Sequence, residues 1–194
     1  MDLILASTSR YRRALLGRLG VQFRCVDPLV DESDLKALML DAAPGDLASA
    51  LALAKAGAVA AQHPAAAVIG ADQVVALDGQ ILGKPGTDPL AVEQLARMAG
   101  RWHELITAMV VLAPGRKPRP HLDVARLRMR PLARAAIERY VAADHPSDCA
   151  GSYKLEAGGI ALFERIEAED HSAITGLPLM ALTSILLELG FAIP

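Results

Sequence analysis

A four-residue apolar run, Leu3-Ile4-Leu5-Ala6, passes directly into the hydroxyl cluster Ser7-Thr8-Ser9, and then into a segment where Tyr11, Leu15 and Leu19 recur at helical spacing. That spacing reads as a short buried strand, a polar turn in which Ser7 or Ser9 supplies the N-cap, and an amphipathic helix. Gly20 stops the helix, and Val21 to Val26 give a second apolar run before Asp27-Pro28 breaks it. Strand, helix and strand in this order point to a parallel pair, because parallel neighbours need a crossover. The chain is thereby directed to an α/β sheet.

The remaining segments fit that class. Pro44-Gly45-Asp46 opens an Ala/Leu-rich helix to about Gln62, ended by His63-Pro64. Ala66 to Ala71 reads as a strand that stops at Asp72, and Val74 to Leu77 and Gln80 to Leu82 flank Asp78-Gly79, a type I′ hairpin signal. Asp88 is the expected cap of a helix to about Ala99, with Gly100 as its stop, and Trp102 to Leu112 is a long strand. The proline-rich tract from Pro114 to Pro120 reads as an exposed loop, followed by a strand from His121 to Arg130. Pro131 opens a helix bearing Ile137, Tyr140 and Val141. Ile160 to Ile166 is a strand, and Pro178 begins the last helix. No internal repeat or long linker divides the 194 residues, so a single domain is expected.

Composition narrows the function classes. Hydrophobic residues make up 53% of the chain and charged residues 22%, enough to bury a sizeable core and outside the range of disordered segments. A net charge of −2 offers no basic field for nucleic acid, and no nucleic-acid partner is expected. The most apolar stretch, Leu47 to Ala61, is interrupted by Ser49, Lys55 and Gly57, and the first residues do not resemble a secretory signal. No membrane association is expected, and the location expected is cytoplasmic. Cys25 and Cys149 stand far apart and read as reduced, buried thiols. The five histidines lack metal-site spacing and no Gly-x-Ser-x-Gly elbow occurs, which argues against zinc and serine hydrolases.

Several residues suit phosphate chemistry. Ser7 to Arg13 combines hydroxyls, free helix N-terminal amides and guanidinium groups where a strand hands over to a helix, without the glycines or Lys-Ser/Thr pair of a Walker loop. The same residues also suit a capped helix with an arginine-rich solvent face. Asp72 follows an apolar strand, where α/β folds place ligands, although an aspartate that shapes a hairpin entry reads the same way. Asp31-Glu32 puts two carboxylates in a loop, oxygen ligands of the type a hard divalent cation takes. Lys55, in a helix of Ala and Leu, and Lys84, in Gly83-Lys84-Pro85, either meet a triphosphate or snorkel to water.

In order along the chain, Leu5-Ala6-Ser7-Thr8-Ser9-Arg10-Tyr11-Arg12-Arg13-Ala14-Leu15-Leu16, Asp31-Glu32, Ala54-Lys55-Ala56, Ile69-Gly70-Ala71-Asp72-Gln73-Val74-Val75, Gly83-Lys84-Pro85, Cys149 to Glu156 and Gly176-Leu177-Pro178-Leu179 resemble the Maf family of nucleotide pyrophosphatases, also known as septum-formation-inhibitor-like proteins. The resemblance covers nearly the whole chain. It implies a mixed, largely parallel α/β sheet with flanking helices and two lobes around a central cleft, of the kind shared with inosine triphosphatases. It implies hydrolysis of a nucleoside triphosphate to the monophosphate and pyrophosphate with a divalent metal, Mg²⁺ or Mn²⁺. It places the catalytic aspartate on Asp72, the metal on Glu32 and Asp72, and phosphate handling on Ser7, Arg13, Lys55 and Lys84. Three departures concern positions the family uses to choose the base: Ser-Pro-Arg-Arg is Ser9-Arg10-Tyr11-Arg12 here, Asp-Thr is Asp72-Gln73, and a later Gln is Glu156. With Tyr11, Gln73 and Glu156, the chain resembles the branch acting on 7-methyl-GTP rather than the dTTP/UTP branch. A carboxylate accepts both donors of a guanine edge, and a carboxylate and an aromatic face suit the positive charge of an N7-methylated base. A dTTP/UTP pyrophosphatase, a nucleotide-binding regulator of septum formation without turnover, and self-association as a homodimer stay open at this level.

Overall fold

The computed structural model describes residues 1–193. Strands β1 (Leu3–Ala6) and β2 (Arg24–Val26) are joined by helix α1 (Arg10–Gly17) and pair in parallel, with Ile4 opposite Arg24. Helices α2 (Glu32–Leu38) and α3 (Pro44–Gln62) lead to strand β3 (Ala67–Leu77), whose first residues pair in parallel with β1. Next come β4 (Gln80–Leu82), α4 (Asp88–Met98), β5 (Trp102–Leu112), β6 (Arg119–Met129) and α5 (Arg134–Asp144). Three 3₁₀ turns, β7 (Phe163–Glu167), the short α6 (His171–Ile174) and α7 (Leu179–Glu188) complete the chain. The strands form one mixed sheet in the order β2-β1-β3-β5-β6-β7, with β4 antiparallel to β3 and β7 antiparallel to β6.

The chain makes two compact units. One comprises residues 1–73, 107–123 and the segment from Asp170 onward, and the other residues 74–106 and 124–169, so β3, β5 and β6 give residues to both. In the first unit, Ile69 and Ala71 of β3 pack with Leu3 and Leu5 of β1 and with leucines of α1 and α7. Strand alternation then turns Gly70 and Asp72 to the opposite face, against α3. A Cβ at Gly70 would lie 2.2 Å from the Ala52 carbonyl oxygen and 2.8 Å from Ala56 Cβ, so α3 rests with its backbone on the strand. The buried row Ala48, Ala52 and Ala56, four residues apart, is what permits that approach. Lys55, beside Ala56, is thereby carried to the level of Asp72.

In the second unit, Asp78 and Gly79 both adopt positive φ (51° and 77°), as a type I′ turn requires. His103 is 2% exposed, its Nε2 lies 3.2 Å from the Tyr153 hydroxyl, and both rings pack against Phe163. Burial lowers the His103 pKa to about 4, so this imidazole is neutral near pH 7.

Several boundaries differ from the sequence expectation. The strand predicted to stop before Asp72 runs through it to Leu77: pairing with β1 covers Ala67 to Ile69, pairing with β4 covers Val75 to Leu77, and Asp72 lies between, paired by a lysine. Asp31-Glu32 is not loop. Asp31 caps α2 and Glu32 is its first residue, and because α2 buries no residue there was no apolar period to reveal it. β2 is confined to Arg24–Val26, where β1 pairs with it. Thr87 rather than Asp88 caps α4. β6 begins at Arg119 and includes Pro120, ahead of the stretch from Arg126 on that pairs with β7. β7 begins at Phe163, since Gly158–Leu162 coil into a 3₁₀ turn. Both cysteines are free and half-buried. Among the described residues, no helix is long and apolar enough to cross a membrane.

Candidate active site

Two carboxylates in the first unit share one ammonium. Lys55 Nζ lies 2.5 Å from Asp72 Oδ1 and 2.7 Å from Glu32 Oε1, and Lys36 holds the other Glu32 oxygen at 2.5 Å. The side chains of Lys55 and Asp72 are each 11% exposed, so this ion pair is largely withdrawn from water and weakly screened. Burial alone would raise the Glu32 pKa. The hydrogen bonds and charges of Lys36 and Lys55 outweigh it and hold the carboxyl at about 2.

A second cation, Arg12, lies within electrostatic reach of both carboxylates. Arg12 donates its Nε to the Gly176 carbonyl at 2.9 Å. Desolvation lowers its pKa, while the charges of Asp72 and Glu32 raise it, so the guanidinium is coupled to both carboxylates. Its position follows from α1: Arg12 stands three and four residues before Leu15 and Leu16, the buried pair of that helix, and therefore projects from the core-facing stripe. Arg13, the arginine the family resemblance favoured, is exposed and lies off that stripe. Arg12 is the residue that sequence reasoning missed, and its spacing to Leu15-Leu16 was the available signal.

The other expected residues are placed as follows. Ser7 is buried at the end of β1, its Oγ accepts the Ser9 amide at 3.2 Å, and Ser9 rather than Ser7 caps α1. Tyr11 is half-buried, its hydroxyl accepts Arg10 Nη2 at 2.7 Å, and the Arg10 guanidinium lies 4.7 Å from its ring centroid. Gln73 follows Asp72 on the strand and therefore faces the opposite side, where its Nε2 reaches Thr107 Oγ1 and two carbonyls of α6. Lys84 and Glu156 belong to the second unit and both are exposed. The Glu156 carboxylate has no hydrogen-bond or ion-pair partner among the described residues. Its segment is strapped by the Lys154 amide, which donates to Tyr140 Oη at 2.9 Å, and by Lys154 Nζ, which donates to the carbonyls of Asp144 and His145.

Among the described residues no group of three or more His, Cys, Asp or Glu converges on a point that could hold a metal ion. An all-protein cage is therefore not built. The Glu32–Asp72 pair is nonetheless a hard-oxygen set already gathered around a positive charge, and Mg²⁺ is commonly held by one or two carboxylates with phosphates and water completing its shell. The donor set fits such an ion.

The Glu32 shift has a consequence for acid stability. A carboxyl whose folded pKa is depressed stabilises the fold above its unfolded pKa, near 4.5, and loses that contribution as pH falls toward about 2. The stability difference between wild type and Glu32→Gln is therefore expected to shrink across that window in denaturant titrations at stepped pH. A difference that stays constant would assign the pair no stabilising role.

A family model for Maf-like proteins matches residues 2–189. A protein of Xanthomonas axonopodis pv. citri (strain 306) named 7-methyl-GTP pyrophosphatase is 49% identical over 196 aligned residues, covering 99% of this chain and 98% of its own. A protein of the same name from Bdellovibrio bacteriovorus is 49% identical over 185 residues, 95% of each chain. The solved Ham1 protein of Staphylococcus aureus superposes with a TM-score of 0.46 at 13% identity, over 68% of this chain and 73% of that one.

Proposed function

Because this chain belongs to the Maf-like protein family, we propose that it is a nucleoside triphosphate pyrophosphatase that converts 7-methyl-GTP and water to 7-methyl-GMP and pyrophosphate. The observation that carries the chemistry is the pair of carboxylates, Asp72 and Glu32, held on the Lys55 ammonium with Arg12 coupled to both.

In this reading Asp72 is the general base. A water oxygen attacks the α-phosphorus, Asp72 takes its proton, and the α–β anhydride bond breaks with the bridging oxygen leaving on pyrophosphate. Lys55 and Arg12 are the cations that would neutralise phosphate charge in this reading, and their desolvation strengthens such an attraction. The family resemblance assigns further phosphate handling to Ser7 and Lys84. Glu32 and Asp72 would hold a divalent ion, Mg²⁺ or Mn²⁺, which when bound neutralises charge on the phosphates. With its pKa near 2, Glu32 stays ionised across the working pH range and serves as ligand rather than acid. The nucleotide is the partner expected from this chemistry.

Base choice rests on Glu156. Its unpaired, exposed carboxylate offers two acceptor oxygens to the N1–H and exocyclic amine of guanine, whereas a glutamine would offer one acceptor and a mismatched donor. Replacing a charged hydrogen-bond acceptor costs about 1.5 to 3 kcal/mol, a factor of about ten to a hundred. Glu156→Gln is accordingly expected to lower kcat/KM for 7-methyl-GTP by that factor while sparing UTP. A uniform fall across nucleotides would give Glu156 a structural role instead, and no change for 7-methyl-GTP would remove it from the base site.

A further inference from the structure

Thr107, on β5, is fully buried and lies between Gln73 and α6. Hydrogen-bond polarity around it runs in one direction. The Ala173 carbonyl can only accept, so the Thr107 hydroxyl, 2.9 Å away, donates its single proton there. Oγ1 is then left as an acceptor, and 2.8 Å from it stands Gln73 Nε2. The same Nε2 lies 3.0 and 3.1 Å from the Ala173 and Ile174 carbonyls, two more groups that only accept. Turning the amide over would set its oxygen against these three lone pairs, so the orientation is fixed by chemistry.

The acceptors are themselves held in place. Asp170 takes the Ser172 amide at 2.8 Å through Oδ1 and the Met180 amide at 2.9 Å through Oδ2, and Ser172 Oγ takes the Leu179 amide at 2.7 Å. α6 is thereby locked to the start of α7. What remains of the amide is Oε1. It has no partner among the described residues and is not one of their buried unpartnered atoms, so it opens to solvent from a half-buried side chain.

We propose that Thr107 is a positioning residue that pins the Gln73 amide nitrogen inward and so presents Gln73 Oε1 as a fixed acceptor for hydrogen-bond donors of the nucleotide base. The inference rests on the 7-methyl-GTP reading and deepens it: a guanine edge carries adjacent donors, N1–H and the exocyclic amine, whereas uracil carries one N–H between two carbonyls. A pre-set acceptor selects the first and meets repulsion from the flanking carbonyls of the second, which is how a polar site rejects the wrong partner.

The test compares kcat/KM for 7-methyl-GTP and UTP, by pyrophosphate release, in wild type, Thr107→Val, Thr107→Ser and Gln73→Met. Valine keeps the shape and removes the hydroxyl, so the Gln73 amide nitrogen loses the shortest of its three contacts and is held by the Ala173 and Ile174 carbonyls alone. The ratio of 7-methyl-GTP to UTP is expected to fall by about tenfold, the worth of one well-placed hydrogen bond. Serine restores the hydroxyl and is expected to keep the ratio near that of wild type. Gln73→Met removes the acceptor itself and lowers the ratio even if the valine variant fails to fold. An unchanged ratio in Gln73→Met, or equal losses for both nucleotides in Thr107→Val, would overturn the inference and leave the pyrophosphatase standing. A wild type that prefers UTP would overturn the 7-methyl-GTP reading, and this inference with it, before any variant is made.

Discussion

Asp72→Asn is expected to lower kcat for 7-methyl-GTP by about a hundred- to ten-thousandfold, the range for loss of a positioned general base. Asparagine keeps the side chain's size and still offers Lys55 a carbonyl oxygen in place of the carboxylate oxygen now 2.5 Å from Nζ. It cannot accept a proton from water, and it is a weaker ligand for a hard cation. Lys55 also keeps Glu32 at 2.7 Å, so the variant is expected to fold, with a far-UV spectrum like that of wild type. Steady-state pyrophosphate release measures the effect. Retention of the wild-type rate would move the base elsewhere.

Lys55→Met is the second large effect, and it differs from the first because stability falls along with activity. From sequence, Lys55 reads as a lysine that either meets a triphosphate or snorkels to water. The structure instead makes Lys55 the shared counter-ion of two carboxylates, with its own side chain only 11% exposed. Removing one member of a buried ionic set leaves uncompensated charge, at a cost of about 3 kcal/mol or more. For a chain of this size that corresponds to a fall in Tm of about 10 °C. Without Lys55, burial acts on Glu32 with only Lys36 opposing it, so the Glu32 carboxyl titrates at higher pH than in wild type. Added Mg²⁺ is expected to recover more Tm in Lys55→Met than in wild type, because the divalent ion takes the place of the missing charge. An unchanged Tm in the variant would mean that Lys55 is held by the helix alone and contributes nothing as a bridge.

The parts of the fold legible in the sequence are those where pattern and local chemistry agree. Leu3–Ala6, its polar turn and α1 could be read because strand run, cap and helical period follow one another without conflict, and the parallel pairing with β2 is what such a crossover requires. Asp78-Gly79 was legible because a turn with two left-handed residues has few other solutions. Asp72 was misread as the end of a strand because an aspartate in a strand is costly unless paired, and its partner lies 17 residues earlier on a different element. α2 was invisible because it buries nothing, and the 3₁₀ turns between Pro146 and Leu162 depend on glycine geometry and side-chain straps without periodic signature.

The site shows the same division. Residue types suited to phosphate and metal could be named from sequence, and Glu32, Lys55 and Asp72 do come together. Which arginine joins them depended on a stripe one residue away from the expected one, since Leu15 and Leu16 are buried and Arg12 shares their side. Gln73 was recognisable as a departure from the family pattern. The direction of its amide was not, because that is set by α6 carbonyls a hundred residues later in the chain.

The central claim is tested most directly by offering the purified protein a panel of nucleoside triphosphates, 7-methyl-GTP, GTP, UTP and dTTP among them, with Mg²⁺ or Mn²⁺, and resolving both products. The account predicts 7-methyl-GMP and pyrophosphate in equal amounts, with 7-methyl-GTP turned over more efficiently than UTP or dTTP. Orthophosphate as the product, a preference for UTP or dTTP, or no turnover of any member would contradict it.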